Sequence, residues 1–257
     1  MKFLQSLSAQ VSLFTQGAIL ALGVVFILLD VITESLNPVI DLAWVTVLVC
    51  GLPLLINSVQ SIWERLEIHA NFLIVVAMVA LISNGDYHTA AYVGLIVQAG
   101  FFLEQLITGE SHYTVDDDML PTMPAQLVAM RQGINNYSSV IVVAVLLLSM
   151  GSFALTQDFI HTVTLLLVLC PCSLELILVA LMMGSLVDDA SPVSELSKGT
   201  KQSHLGLLIV SIVFHVAIIC VGVLGLIDPV PAVALHGLAR LGLVYNLKVL
   251  NGSLCVA

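Results

Sequence analysis

Residues 165–183 read LLLVLCPCSLELILVALMM, an apolar run that carries Cys170, Pro171, Cys172 and Glu175 near its middle. Its length and composition predict a membrane-spanning helix. Pro171 removes one backbone donor, and its ring presses on the Leu167 carbonyl, which loses its usual partner. Two thiols, a freed carbonyl and a carboxylate then fall within about one turn, at the depth where polar groups are most costly. Thiolates prefer copper(I), zinc and related soft ions, so Cys170 and Cys172 are the first metal-ligand candidates, with Glu175 beside them. The alternative is that the cysteines pack as small apolar residues around a tolerated proline kink.

The whole chain has the same character. It is 59% hydrophobic and 9% charged, with a mean hydropathy of +1.09. Those values exclude an ordinary soluble domain and point to an all-α, polytopic membrane protein. A formal net charge of -10 argues against nucleic acid as a partner and leaves the lipid bilayer as the expected one. Three of the five cysteines, Cys50, Cys170 and Cys220, sit inside apolar runs, which is no disulfide framework. The opening MKFLQSLSAQ has no small-residue cleavage site after a short apolar core, so a retained first helix is expected rather than a cleaved signal.

About eight transmembrane helices are expected, at roughly 11–33, 39–57, 68–84, 88–106, 137–156, 160–184, 204–226 and 230–250. The breaks fall at turn-rich stretches, among them Asn84-Gly85-Asp86 and Asp228-Pro229. With the N-terminus in the cytoplasm, Lys2, Arg65, Arg131, Lys198, Lys201 and Lys248 all fall on the cytoplasmic side, and the opposite loops hold no lysine or arginine. That pattern leads us to expect a multi-pass protein with both termini in the cytoplasm, and a bacterial inner membrane is the expected location. After Gly51-Leu52-Pro53, the stretch with Trp63, Glu64 and Arg65 reads either as a bent tail lying along the interface or as an ordinary interfacial belt. Residues 107–136 and 185–203 are cytoplasmic connections too short to hold a core of their own, although 126–137 has the pattern of a short helix leading into the fifth span.

Several motifs together resemble a known family. They are Gly51-Leu52-Pro53-Leu54, residues 71–81, Gly85-Asp86-Tyr87, Ala90-Ala91, Phe102-Leu103-Glu104, Cys170-Pro171-Cys172-Ser173-Leu174, Asp228-Pro229, Ala234-Leu235-His236 and Val244-Tyr245-Asn246-Leu247-Lys248. Their order is similar to that in the membrane domain of the heavy-metal (P1B-type) P-type ATPases. The resemblance implies a P-type ATPase-like membrane domain in which Cys170 and Cys172 bind the transported ion and the last two helices supply further ligands. His215 and His236 occupy those helices here, and neither copies the family's usual copper or zinc patterns.

The departures matter as much. The phosphorylated Asp-Lys-Thr-Gly-Thr motif is absent, as are the family's hinge and nucleotide-binding motifs, and the short connections replace its actuator, phosphorylation and nucleotide-binding domains. Thr108-Gly109-Glu110-Ser111 spells the family's dephosphorylation tetrapeptide with no domain around it. No ATPase activity and no nucleotide cofactor are therefore expected of this chain.

Further polar residues complete the expectation. His236 and Arg240 are one turn apart on a single helix face. Arg240 and Glu175 are expected near mid-membrane, where pairing with each other, or of Arg240 with the thiolates, is the cheapest arrangement. Asp86 and His88 are candidates for an ion-release site, and Asp116-Asp117-Asp118 for a solvated charge run. Two functions follow. One is a heavy-metal-ATPase-like protein that binds copper(I) or zinc at the Cys-Pro-Cys site and passes it passively or with a partner. The other is a non-catalytic scaffold or accessory subunit of a larger membrane complex, its ion site sealed by Arg240 and Glu175.

Overall fold

The computed structural model describes residues 13–34, 42–65, 70–108, 125–171 and 196–254. Among these residues there are eight helices and no strand: α1 Leu13–Glu34, α2 Ala43–Arg65, α3 Ala70–Ser83, α4 Tyr87–Thr108, α5 Ala125–Thr156, α6 Phe159–Val168, α7 Leu196–Val223 and α8 Pro229–Leu254. Each predicted span overlaps one of them. Four are long and apolar enough to cross a membrane, over Thr15–Thr33, Ala43–Gln60, Tyr87–Ile107 and Tyr137–Thr156. Shorter apolar segments cover Asn71–Ser83, Phe159–Val168 and Ile209–Val223.

A helical membrane protein is therefore supported, but eight full spans are not. The 14 residues of α3 rise only about 21 Å and the 10 of α6 about 15 Å, against a hydrocarbon core of about 30 Å. The predicted 160–184 span does not continue as one helix within the described residues. α6 ends at Val168, Leu169 caps it by donating to the Leu165 carbonyl at 3.0 Å, and the chain leaves the helix at Cys170 and Pro171. Steric conflict between a proline and the residue before it disfavours helical backbone at Cys170, which fits the end of α6 at Val168. Cys172 and Glu175 lie outside the described residues. α5 is one 32-residue helix, in which the stretch expected as a short helix leading into the fifth span, 126–137, runs on into the span itself. α7 likewise takes in 196–203. α2 runs unbroken through Pro53 to Arg65, and Trp63 is 78% exposed.

α4 occupies the middle of the bundle, against α1, α2, α3 and α8. α3 joins it there, with Leu73, Ala77, Met78 and Leu81 buried on several sides, as expected for a helix apolar all round. α1 and α5 are peripheral. Only 11% of the α1 span is buried, and Leu22, Val25, Leu28 and Ile32 face outward, a surface suited to acyl chains rather than water.

Lipid supplies no hydrophobic drive between helices, so close backbone approach and interhelical hydrogen bonds matter. Gly23 lets α1 onto α2 and α4: a Cβ there would lie 2.8 Å from Leu95 Cδ1 and 2.9 Å from Cys50 Sγ. Pro53 lacks the N–H that the Val49 carbonyl would accept, and the next carbonyl, Cys50, accepts from Gln98 Nε2 of α4 at 2.9 Å. Two helix ends close the same way. Gly85 (φ 83°) and Gly225 (φ 67°) turn left-handed, while Asp86 N–H reaches the Leu81 carbonyl and Leu226 N–H the Val221 carbonyl.

Candidate intramembrane site

Four helices line a cavity of about 50 Å³, and three of them bring polar side chains to it. The end of α6 brings Cys170, α8 brings His236 and Arg240, and α4 brings Phe101 and Glu104. Cys170 is 4% exposed and His236 6%. Leu167, Ile74 and Val233 wall the rest, so the polar groups meet in an apolar setting.

Arg240 Nη2 lies 2.9 Å from Glu104 Oε2, each side chain about one-fifth exposed (22% and 21%). Its guanidinium carbon sits 5.3 Å from the centre of the Phe101 ring, a cation–π distance. Sequence reasoning expected Arg240 to meet Glu175 or the thiolates; the described partner is Glu104. Glu104 was not singled out as a site residue, although it is the one carboxylate in the 88–106 stretch, and an ionisable group in an apolar span is itself a signal.

His215 of α7 meets His236 of α8, with ring centroids 5.3 Å apart and planes at 82°. His215 Nδ1 is 2.9 Å from the Ser211 carbonyl one turn back. A carbonyl only accepts, so His215 Nδ1 is the donor in this pair. The structure thus brings Cys170, His236 and Arg240 to one cavity, with His215 against His236.

Asp86 and His88 have other engagements. Asp86 caps α4, its Oδ1 accepting from Thr89 N–H at 3.2 Å. His88 Nδ1 lies 3.2 Å from Oδ2 of Asp30, whose Oδ1 accepts the Leu42 N–H at 2.9 Å. Asp30 is 6% exposed and ties the end of α1 to the starts of α2 and α4. Like Glu104, it is the one acidic residue of its apolar stretch and went unread in the sequence. Met78 packs its thioether against the close approach of Gly51 and Gly94, and Met150 is 68% exposed.

Among the described residues, no three of His, Cys, Asp and Glu gather tightly enough to hold a metal ion. No protein-family model, curated protein or solved structure matches this chain. The likeness to heavy-metal pumps rests on the motifs quoted above.

Proposed function

We propose that this chain is a membrane protein that binds a soft metal cation of the copper or zinc class in the cavity shared by Cys170 and His236. Its apolar helices would lie in a bacterial inner membrane, with both termini on the cytoplasmic side. The single observation that carries this reading is the meeting of a buried thiol and a buried imidazole, from α6 and α8, at one cavity inside an apolar bundle. Sulfur and imidazole nitrogen are donors suited to such ions. The Glu104–Arg240 pair answers the objection that a fixed cation would repel the cargo, since the carboxylate balances the guanidinium. No nucleotide chemistry is assigned to the chain, so movement of the ion would be passive or driven by a partner protein.

A second reading has an observation of its own. Arg240 reaches into the same cavity and is held there by Glu104 and Phe101, which suits a sealed scaffold within a larger membrane complex. Elemental analysis of purified protein separates the two. Stoichiometric copper or zinc that disappears in Cys170→Ala/Cys172→Ala supports the cation site. Metal-free protein that co-purifies with partner subunits supports the scaffold.

A further inference from the structure

Between α4 and α8 the cavity wall forms an open groove with a charged end. Gly100 lies one turn before Glu104 on α4, Gly237 lies about one turn before Arg240 on α8, and all four line the cavity. A Cβ at Gly100 or at Gly237 would have no heavy atom within 4 Å, so both helices leave space beside the ion pair. Ile96, Val97, Val233 and Leu241 make this wall apolar. The groove is not sealed, since the glycines and the pair are only half-buried. Their sequence neighbours Leu103 and Leu238 are 42% and 63% exposed, a surface for acyl chains. Depth follows from the α4 span. Its apolar stretch Tyr87–Ile107 rises about 31 Å, which matches a hydrocarbon core of about 30 Å. Glu104 comes three residues before the end of that stretch, about 5 Å from the headgroup region. The groove is therefore charged near the membrane surface and apolar one turn deeper, the same sense as a lipid of that leaflet.

From these features we infer that the α4–α8 groove binds a zwitterionic phospholipid with an ammonium head, of the phosphatidylethanolamine class. Charge complementarity selects the head. Arg240 and Glu104 stand 2.9 Å apart and sum to zero charge, so a purely anionic head gains at the guanidinium what it loses at the carboxylate. An ethanolamine phosphate carries both signs on one short tether, and its phosphate meets Arg240 while its ammonium meets Glu104. A guanidinium has five N–H donors and a carboxylate about four acceptor sites, so both groups can take the head while they stay paired. The ammonium donates N–H bonds that a choline head lacks, and hydrogen bonds between charged groups are the strong ones. The chain then runs inward past Gly100 and Gly237, where a larger residue on either helix would stand in its way. Pockets with charged groups between membrane helices are known lipid-head sites in general. The inference does not depend on the cation reading, because its residues are not the donors Cys170 and His236.

The test is native mass spectrometry of the full chain, delipidated in detergent and titrated with phosphatidylethanolamine, phosphatidylcholine and phosphatidylglycerol of identical acyl chains. The wild type is expected to retain phosphatidylethanolamine about tenfold more tightly than either of the others. Glu104→Gln/Arg240→Met, which leaves neither charge stranded, is expected to hold the three lipids equally. Gly100→Ala/Gly237→Ala puts methyl groups only into open space, so it is expected to fold and to weaken phosphatidylethanolamine binding several-fold. Equal retention of the three lipids by the wild type, a preference for phosphatidylglycerol, or no retained lipid would each overturn the inference, whatever the variants do. A preference for phosphatidylethanolamine that survives in the charge-free variant would also overturn it. Metal content, measured separately on the same wild-type protein, decides the cation reading without reference to any of these results.

Discussion

The Glu104–Arg240 pair allows a quantitative test of how the bundle tolerates charge. At 2.9 Å and an effective dielectric of about 20, the Coulomb attraction is about 6 kcal/mol before desolvation is subtracted. Removing one partner of a fully buried pair costs about 3–5 kcal/mol, while exposed pairs contribute about 0–1. With both side chains about one-fifth exposed, Glu104→Gln is expected to cost about 2–3 kcal/mol, because the guanidinium stays in place without its counter-charge. Arg240→Met strands the carboxylate and also loses the Phe101 contact, adding about 0.5–1 kcal/mol. The double variant strands neither charge and is expected within about 1 kcal/mol of wild type. In thermal unfolding in mild detergent, each single change then lowers Tm by about 4–12 °C, and the double recovers most of that loss. Additive losses in the double variant would refute the pairing.

Other substitutions test the packing. Gly225→Ala places a side chain at φ 67° and is expected to cost about 1–2 kcal/mol, read as a lower Tm; an unchanged Tm would contradict the left-handed cap. Gly23→Val drives atoms into Leu95 and Cys50 at an expected cost of about 1–3 kcal/mol, and a neutral result would mean that α1 does not pack so closely on α2 and α4. Asp30→Ala removes the acceptor of the Leu42 N–H and the partner of His88, at an expected cost of about 2 kcal/mol. Hydrogen exchange is expected to speed up at Leu42, and unchanged protection there would count against the tie.

The eight helices were legible because each apolar stretch must keep its backbone bonds internal, and because Asn84-Gly85-Asp86 and Asp228-Pro229 break the pattern. Span number was less legible, since hydropathy does not say where α6 stops. The stop at Val168 comes from local sterics at Cys170-Pro171, not from polarity. Cys170, His236 and Arg240 were readable as costly polar residues at membrane depth. The partners of Arg240 and His88 were not, because Glu104 reaches Arg240 across 136 positions of sequence and Asp30 reaches His88 across 58, through contacts that only the packed bundle creates. The resemblance to the pumps directed attention to the end of α6, while the described counter-charge of Arg240 came from α4.

Metal protection of Cys170 tests the cation site most directly. The full chain would be treated with a membrane-permeant maleimide, with Zn²⁺ present or after chelation, and labelling mapped by mass spectrometry. Cys220, which is exposed, serves as the internal control. The expected result is Cys170 labelled after chelation and spared with Zn²⁺, while Cys220 labels equally in both. Equal labelling of Cys170 under the two conditions would contradict a metal ion bound at this cavity.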